Sequence, residues 1–195
     1  MAPSTPPPQR IFQLRIRLRD VEPEIWRRVL IPGSVRLGKL HLMLQATMGW
    51  TNSHLHAFDI GDARYGTCFD ELAEHEIDEK SSTVMAALRG RAQFVYEYDF
   101  GDSWIHDIIV EGALSSEHGL KYGVCLDGAN ACPPEDCGGA FGYAELLNAL
   151  ADPSTADRRE FIPWVGGSFD ATAFDVADAN VRLQAVRVRQ RARET

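Results

Sequence analysis

The sequence predicts an α+β domain: a mainly antiparallel sheet with hairpins in the N-terminal two-thirds, packed by one early helix and a C-terminal group of helices. Three observations predict this class. Strand-like alternation clusters early in the chain, helical spacing dominates its end, and the two do not alternate as in a parallel βαβ fold. The chain has 195 residues, of which 45% are hydrophobic, so it is long enough for one domain with a real core.

The early elements follow from simple patterns. Residues 11–20, "IFQLRIRLRD", alternate apolar and polar, which predicts a half-buried strand with a basic solvated side. After Pro23, "IWRRVLIP" predicts a second strand antiparallel to the first. Apolar residues between 37 and 48 recur at helical spacing, which predicts a helix with Ser34 as its N-cap and an end near Gly49. "HLHAFDI" and the residues after the "GDARYG" turn predict two more strands.

A hairpin is predicted over residues 93–111, around the stretch "YEYDFGDSWIH". The dipeptide Gly101-Asp102 is a strong turn signal between two strand-like runs. A loop of two or four residues places Asp99 opposite Trp104, and residues directly opposite share a face of the sheet.

The same register predicts that Glu97 lies opposite His106, on the face that carries Asp99. One interpretation is a polar pocket in which His106 acts as a base or metal ligand beside Glu97 and Asp99, the candidate catalytic residues. The alternative is a solvated face on which a Glu97–His106 pair only stabilises the hairpin.

The "HLH" motif offers a candidate metal site. His54 and His56 share one face of their predicted strand, and two such histidines can chelate one ion. Together with His106 and the hairpin acids they would converge on a metal that activates water, which predicts a metal-dependent hydrolase. The alternative is that histidines beside Trp50 are buried, hydrogen-bonded structural groups.

A small-molecule binding pocket is another interpretation of the same residues. Trp50 and Trp104 would line its apolar part, and His54, His56 and Asp102 would contribute its polar part. Rings and acids of this kind select a cationic ligand.

The cysteines leave several interpretations open. Cys125, Cys132 and Cys137 are close in sequence and Cys68 stands apart, but the spacing is not the C-x2-C of zinc ribbons. Three thiolates and one histidine would form a structural zinc site, so zinc is the cofactor to consider. Free, partly buried thiols, a Cys132–Cys137 disulfide, and Cys137 as a nucleophile are the alternatives.

The ends of the chain are expected to lie outside a single domain over residues 11–185. Residues 1–10 are proline-rich and are predicted to form a disordered tail, and 186–195 a basic helix end or tail. No apolar run approaches the ~20 residues that cross a bilayer, and the start lacks the apolar region of a secretory signal. We therefore expect a cytoplasmic protein without a membrane partner.

The charge distribution bears on partners. A formal net charge of −8 argues against broad affinity for nucleic acid. From Asn180 to the end, however, the chain has five arginines and one glutamate. This segment is either a solvated helix end or a basic arm that contacts DNA phosphate or the acidic surface of a protein partner.

Four stretches together resemble a known family. "IWRRVLIPG", "LHLMLQATMGWTNSHLHAFDI", "YEYDFGDSWIH" and "CLDGANACPPEDCGGAFGYAELL" are similar, in order, to the family named for the third open reading frame of a root-inducing (Ri) plasmid. The resemblance spans about residues 10–185 and implies an α+β domain of many bacteria and some archaea.

The resemblance also implies a role. Some members of that family are linked to mobile elements and are labelled TnpR, passenger proteins of insertion sequences. The label suggests a resolvase, but this chain has no serine- or tyrosine-recombinase signature. The resemblance therefore implies an accessory or binding protein of a plasmid or transposon, and it supplies no catalytic residues.

Overall fold

One eight-stranded sheet organises the protein. The structure, a computed structural model, describes residues 8–67, 76–152, 154 and 158–188. Within these residues the strands are β1 (Gln9–Leu18), β2 (Trp26–Pro32), β3 (His56–Ile60), β4 (Ala63–Gly66), β5 (Glu76–Asp78), β6 (Gln93–Tyr98), β7 (Trp104–Ser116) and β8 (Val124–Ala129). The helices are α1 (Leu37–Met48), α2 (Val84–Leu88), α3 (Gly139–Ala151), α4 (Arg158–Trp164) and α5 (Val176–Ala185). The predicted α+β class is confirmed.

The strand order in the sheet is β5-β4-β3-β6-β7-β1-β2-β8. All neighbours pair antiparallel except β4 and β5, which are parallel. The predicted antiparallel pairing of β1 with β2 is confirmed, for example by Leu14 opposite Val29. The sheet thus joins the N-terminal hairpin and the β6–β7 hairpin side by side.

Alternation along β1 separates a core face from a solvated face. Leu14 and Ile16 are fully buried, whereas Arg17 projects from the other face and pairs with Asp107 at 2.9 Å. Helix α1 covers the core face with its own apolar side. Two sets of alternating or helically spaced apolar residues therefore meet in one core.

Helix α1 ends as predicted but begins differently. Gly49 adopts the left-handed conformation at the C-cap, which favours glycine. The predicted N-cap Ser34 is wrong: Arg36 occupies that position, in an extended conformation and without a side-chain cap.

The register of the β6–β7 hairpin differs from the prediction. Tyr98 lies opposite Trp104, so residues 99–103 form an odd-numbered loop. A shift of one residue moves each side chain of a strand to the other face. The predicted pairings of Glu97 with His106 and Asp99 with Trp104 are therefore wrong.

Other differences lie near the ends of the chain. Part of the cysteine segment forms edge strand β8 against β2. Helix α5 ends at Ala185, directly before the residues 186–195 that are predicted to form a basic helix end or tail. Cys68 and most of the two predicted tails, residues 1–7 and 189–195, lie outside the described residues. Strand β1 begins at Gln9, within the stretch 1–10 that is predicted to be a tail. No helix among the described residues has the length and apolar character needed to span a bilayer.

Candidate functional site

His54 lies among three carboxylates just before β3. Its Nε2 is 3.0 Å from Oδ1 of Asp136, 3.6 Å from Oδ2 of Asp99 and 3.8 Å from Oε2 of Glu135. This nitrogen is buried, and none of the three oxygens is aligned with it as a hydrogen-bond partner. We call His54, Asp99 and Asp136 the His54 cluster.

The loop of the β6–β7 hairpin presents Asp99 to this cluster. Asp99 has a φ of 57°, a left-handed conformation that aspartate tolerates better than most residues. Its Oδ1 accepts a hydrogen bond from the backbone N–H of Gly101, and its own N–H donates to the carbonyl of Leu55. Oδ2 is therefore left to face His54.

The loop before α3 supplies the other carboxylates and is tied to the rest of the site. Glu135 accepts hydrogen bonds from the backbone N–H of Thr51 and from the hydroxyl of Tyr98. Asp102 accepts one from the backbone N–H of Gly138. Asp102, predicted as a pocket residue, instead holds the hairpin loop against the α3 loop.

The His54 cluster has the dimensions of a metal site. Its three ligand atoms all lie within 4.8 Å of one another. Two atoms that each bind one ion at about 2.1 Å are about 3.0 Å apart at right angles and about 3.4 Å apart at a tetrahedral angle. The distances from His54 to Asp136 and Asp99 are close to these values. One imidazole and two carboxylates suit a divalent first-row metal.

A cleft of about 450 Å³ opens beside the cluster. We call it the cationic cleft; it is lined by Arg36, Gly38, Lys39, His41, Leu42, Asn52, His54, Leu55, His56, Thr67, Glu79 and Lys80. His54 belongs to both the cluster and the cleft, so the two meet at this residue.

Two histidines form a flat wall of the cationic cleft. The rings of His41 and His56 stack with centroids 3.4 Å apart and planes within 1° of parallel. Nε2 of His56 lies 2.7 Å from Oε2 of Glu79, and both side chains are buried. The side chain of Glu79 packs over Gly38, where a Cβ would come within 2.5 Å of Oε1. A glycine in the first turn of α1 is thus needed for this contact.

Hydrogen bonds also fix the ring of His41. Gln45 donates to the hydroxyl of Tyr96, so that hydroxyl has its proton free for Nδ1 of His41 at 2.8 Å. Nε2 of His41 then donates to Oδ1 of Asn52. Burial, together with the nearby His56, lowers the pKa of His41 to about 4. The neutral ring is a rigid part of the cleft.

His106 does not join the other histidines. It is fully buried on the core face, and Nδ1 donates to the carbonyl groups of Trp104 and Tyr96 at 3.0 and 3.2 Å. Burial lowers its pKa to about 4. The predicted convergence of His54, His56 and His106 on one ion does not occur, because His106 is enclosed by core residues.

Glu97 and the two tryptophans also lie apart from the cluster. Glu97 is on the solvated face, where Arg64 donates to it at 2.9 Å. Trp50 and Trp104 are buried with ring centroids 5.9 Å apart, and Trp50 donates to the carbonyl of Pro133. Both rings belong to the core, and neither lines the cationic cleft. The basic residues of this cleft also differ from the acids expected in the predicted pocket.

The three described cysteines are free thiols that do not group as metal ligands. Sγ of Cys125 is near the carbonyl of Asp127 in β8, whereas Sγ of Cys137 is near the carbonyl of Gly139. Burial raises the pKa of Cys125 and Cys132, and that of Cys137 to about 12. Protonated thiols are poor zinc ligands and poor nucleophiles.

Several residues of the site were not singled out from the sequence. Glu135 and Asp136 follow two prolines inside the cysteine segment, and the pair of adjacent acids in "PPEDC" was the available signal. Glu79 comes from the acidic region before α2 and has no local pattern that marks it. His41 lies on the buried face of α1 and has no sequence pattern that distinguishes it from a core residue.

Comparisons with known proteins agree with this fold. The family model described as plasmid pRiA4b ORF-3-like protein matches residues 10–178. The uncharacterized protein y4hQ of Sinorhizobium fredii (strain NBRC 101917 / NGR234) is 39% identical over 173 residues, which cover 87% of this chain and 89% of that protein. The crystal structure of MM3350, a protein of unknown function from Methanosarcina mazei Go1, is similar with a TM-score of 0.79 and 30% identity, over 87% of this chain and 97% of that one. The chain therefore belongs to the plasmid pRiA4b ORF-3-like protein family.

Proposed function

We propose that this protein is a metal-dependent hydrolase that binds one divalent ion through His54, Asp99 and Asp136. The observation that carries the proposal is the buried Nε2 of His54, which has no aligned hydrogen-bond partner among the described residues although three carboxylates lie within 3.8 Å. An ion bound to that nitrogen and to the oxygens would satisfy them together.

The exposure of the ligands favours a catalytic over a structural metal. Structural zinc sites are closed by protein ligands, whereas catalytic sites keep a position for water or substrate. The side chain of Asp136 is 70% exposed and that of Asp99 only 10%, so the cluster is anchored on one side and reaches solvent on the other. A divalent ion in such a place lowers the pKa of bound water and supplies a nucleophile near neutral pH.

Metal binding is tested on tag-free protein by isothermal titration with Mn²⁺ and Zn²⁺ and by elemental analysis. We expect one ion per chain in the wild type and none in His54→Ala. Asp136→Asn should weaken binding without unfolding, because asparagine tolerates the left-handed φ of 58° at this position. His118→Ala is the matched control, since it removes an exposed histidine that is not in the cluster.

The alternative explanation is an ion pair in which His54 is protonated and no metal is held. Absence of binding by the wild type, or equal binding by His54→Ala, would contradict the metal proposal. Hydrolysis is then tested with p-nitrophenyl phosphate and p-nitrophenyl acetate, with and without EDTA. Activity that is stoichiometric with metal and lost in His54→Ala would support the hydrolase; metal binding without hydrolysis of any ester would reduce the proposal to a metal-binding protein.

A second candidate is an accessory protein of a plasmid or transposon that contacts DNA or a protein through its basic end. The description of the matching family, which names a plasmid open reading frame, favours it. Arg182, however, donates to the carbonyl of Ala46 in α1, so this arginine packs against the domain. A gel shift at low salt that is lost when the chain is cut after Val188 would support DNA binding, and no shift at low salt would exclude it.

A further inference from the structure

We propose that the cationic cleft binds the phosphate group of a small phosphate ester and holds it beside the His54 cluster. This proposal adds a substrate class to the proposed function. It rests on the proposed function only for the ion next to the cleft. The recognition itself depends on the cleft residues alone. It therefore has its own test.

The charge of the cleft is the first argument. Arg36, Lys39 and Lys80 line it, and within the described residues none of the three forms an ion pair with a carboxylate. The acid of the cleft, Glu79, is already engaged with His56. Concave sites lined by one sign of charge focus the potential and attract ligands of the opposite sign.

The position of Arg36 is the second argument. Its Nη1 donates to the carbonyl of Ser81, which fixes the guanidinium at the edge of the cleft. The planar donors that remain suit the oxygens of phosphate, and a side chain that is already held loses less freedom on binding. Lys39 and Lys80 approach from helix α1 and from the segment after β5.

The size and wall of the cleft favour a small molecule. Its volume of about 450 Å³ lies in the range typical of small-molecule sites. The stacked rings of His41 and His56 form a rigid wall. The net charge of −8 disfavours a long polyanion such as DNA, which would contact far more of the acidic surface.

The position of His54 connects recognition to chemistry. Because this residue lines the cleft and also belongs to the cluster, a phosphate bound at the His54 end of the cleft would lie next to an ion held by the cluster. Metal and cations together neutralise charge that develops on phosphoryl oxygens. In the hydrolysis of a phosphomonoester, the oxygen of the activated water bonds to phosphorus, the bond from phosphorus to the leaving oxygen breaks, and that oxygen takes up a proton from the water. The products are an alcohol and inorganic phosphate.

The test uses phenyl phosphate as the probe, with phenol as its uncharged analogue. Affinity is measured by isothermal titration on the full chain, once with EDTA and once with Mn²⁺. We expect binding of phenyl phosphate in both conditions, tighter with Mn²⁺, and none of phenol. The double variant Lys39→Gln/Lys80→Gln should bind about tenfold or more weakly. Lys121→Gln, which removes an exposed lysine outside the cleft, should bind like the wild type.

The outcomes separate this inference from the proposed function. Binding in EDTA that depends on Lys39 and Lys80 supports the cleft even if no metal ever binds, in which case the hydrolase proposal fails alone. Equal affinity of the double variant and the wild type overturns the cleft proposal whatever the metal does. Equal binding of phenol also overturns it, as does displacement of the probe by a short DNA duplex at much lower concentration, which would identify a nucleic-acid surface.

Discussion

His106 lies directly opposite Tyr96 in the β6–β7 hairpin, and its Nδ1 donates a hydrogen bond to the carbonyl oxygen of Tyr96. The ring is fully buried, and burial lowers its pKa to about 4. His41 is buried on α1, and its pKa is also lowered to about 4. Both rings are therefore neutral in the folded protein near pH 7.

These two histidines predict a loss of stability in mild acid. A histidine in the unfolded chain has a pKa near 6.5, so below that pH the unfolded state takes up protons that the folded state refuses. The stability contributed by the neutral rings is complete above about pH 6.5 and falls as the pH drops toward 4. We expect each histidine to cost about 2 kcal/mol of unfolding free energy between pH 7.5 and 5.

The measurement is urea unfolding at both pH values for the wild type and His106→Asn. Asparagine keeps an N–H near the position of Nδ1 but does not titrate, so the variant should start less stable and lose less on acidification. His118→Ala removes an exposed histidine and should keep the full acid dependence. An unchanged acid dependence in His106→Asn would contradict the assignment.

Gly139 predicts a local requirement for glycine. It has a φ of 68°, and a Cβ there would lie 2.6 Å from the carbonyl oxygen of Asp102. Gly139→Ala should therefore lower the unfolding free energy by about 1–3 kcal/mol. Gly112→Ala is the control, because a Cβ at Gly112 meets no atom of the described residues within 4 Å and its φ is not left-handed. Tryptophan fluorescence in urea compares the two variants, and equal midpoints would contradict the predicted strain.

The contacts of the buried Arg27 predict that lysine cannot replace it. Nη1 donates to the carbonyl groups of Trp26 and Ala129, Nη2 donates to that of Asn130, and the guanidinium lies 3.7 Å from the ring centre of Phe174. Burial lowers its pKa to about 10. A lysine ammonium cannot span this set of acceptors or stack in the same way. We expect Arg27→Lys to cost about 2–4 kcal/mol of unfolding free energy.

The neighbouring arginine provides the control for that substitution. Arg28 lies on the solvated face and pairs with Glu111 at 2.6 Å. Arg28→Lys keeps a charge beside the same carboxylate in water, so it should change stability much less. Thermal unfolding followed by circular dichroism ranks the two variants. Equal losses of stability in the two variants would show that the burial of Arg27 is not the reason why its planar guanidinium is required.

The sequence could predict most of the elements and two residues of the site, His54 and Asp99, but not the third residue or how the three meet. Periodicity identifies β1, because alternation reports directly which side chains are buried. Periodicity cannot predict the length of the loop 99–103. A change of one residue in that length shifts the register of the hairpin and so decides whether His106 faces the core or solvent. The His54 cluster joins a residue before β3, a hairpin loop and the loop before α3. Its members meet only through tertiary contacts, so no local spacing marks Asp136 as a partner of His54.

Asp102 connects the two loops that carry Asp99 and Asp136. Its carboxylate accepts from the N–H of Gly138, so it holds the loop of Asp136 against the loop of Asp99. Asp102→Ala should weaken Mn²⁺ binding several-fold while the stoichiometry stays at one ion per chain, because Asp102 positions the ligands and is not itself in the cluster. Asp62→Ala, which removes an exposed acid in the β3–β4 turn, should leave the affinity unchanged. Isothermal titration decides between the roles. Complete loss of binding would make Asp102 a ligand, and unchanged affinity would show that this contact does not position the site.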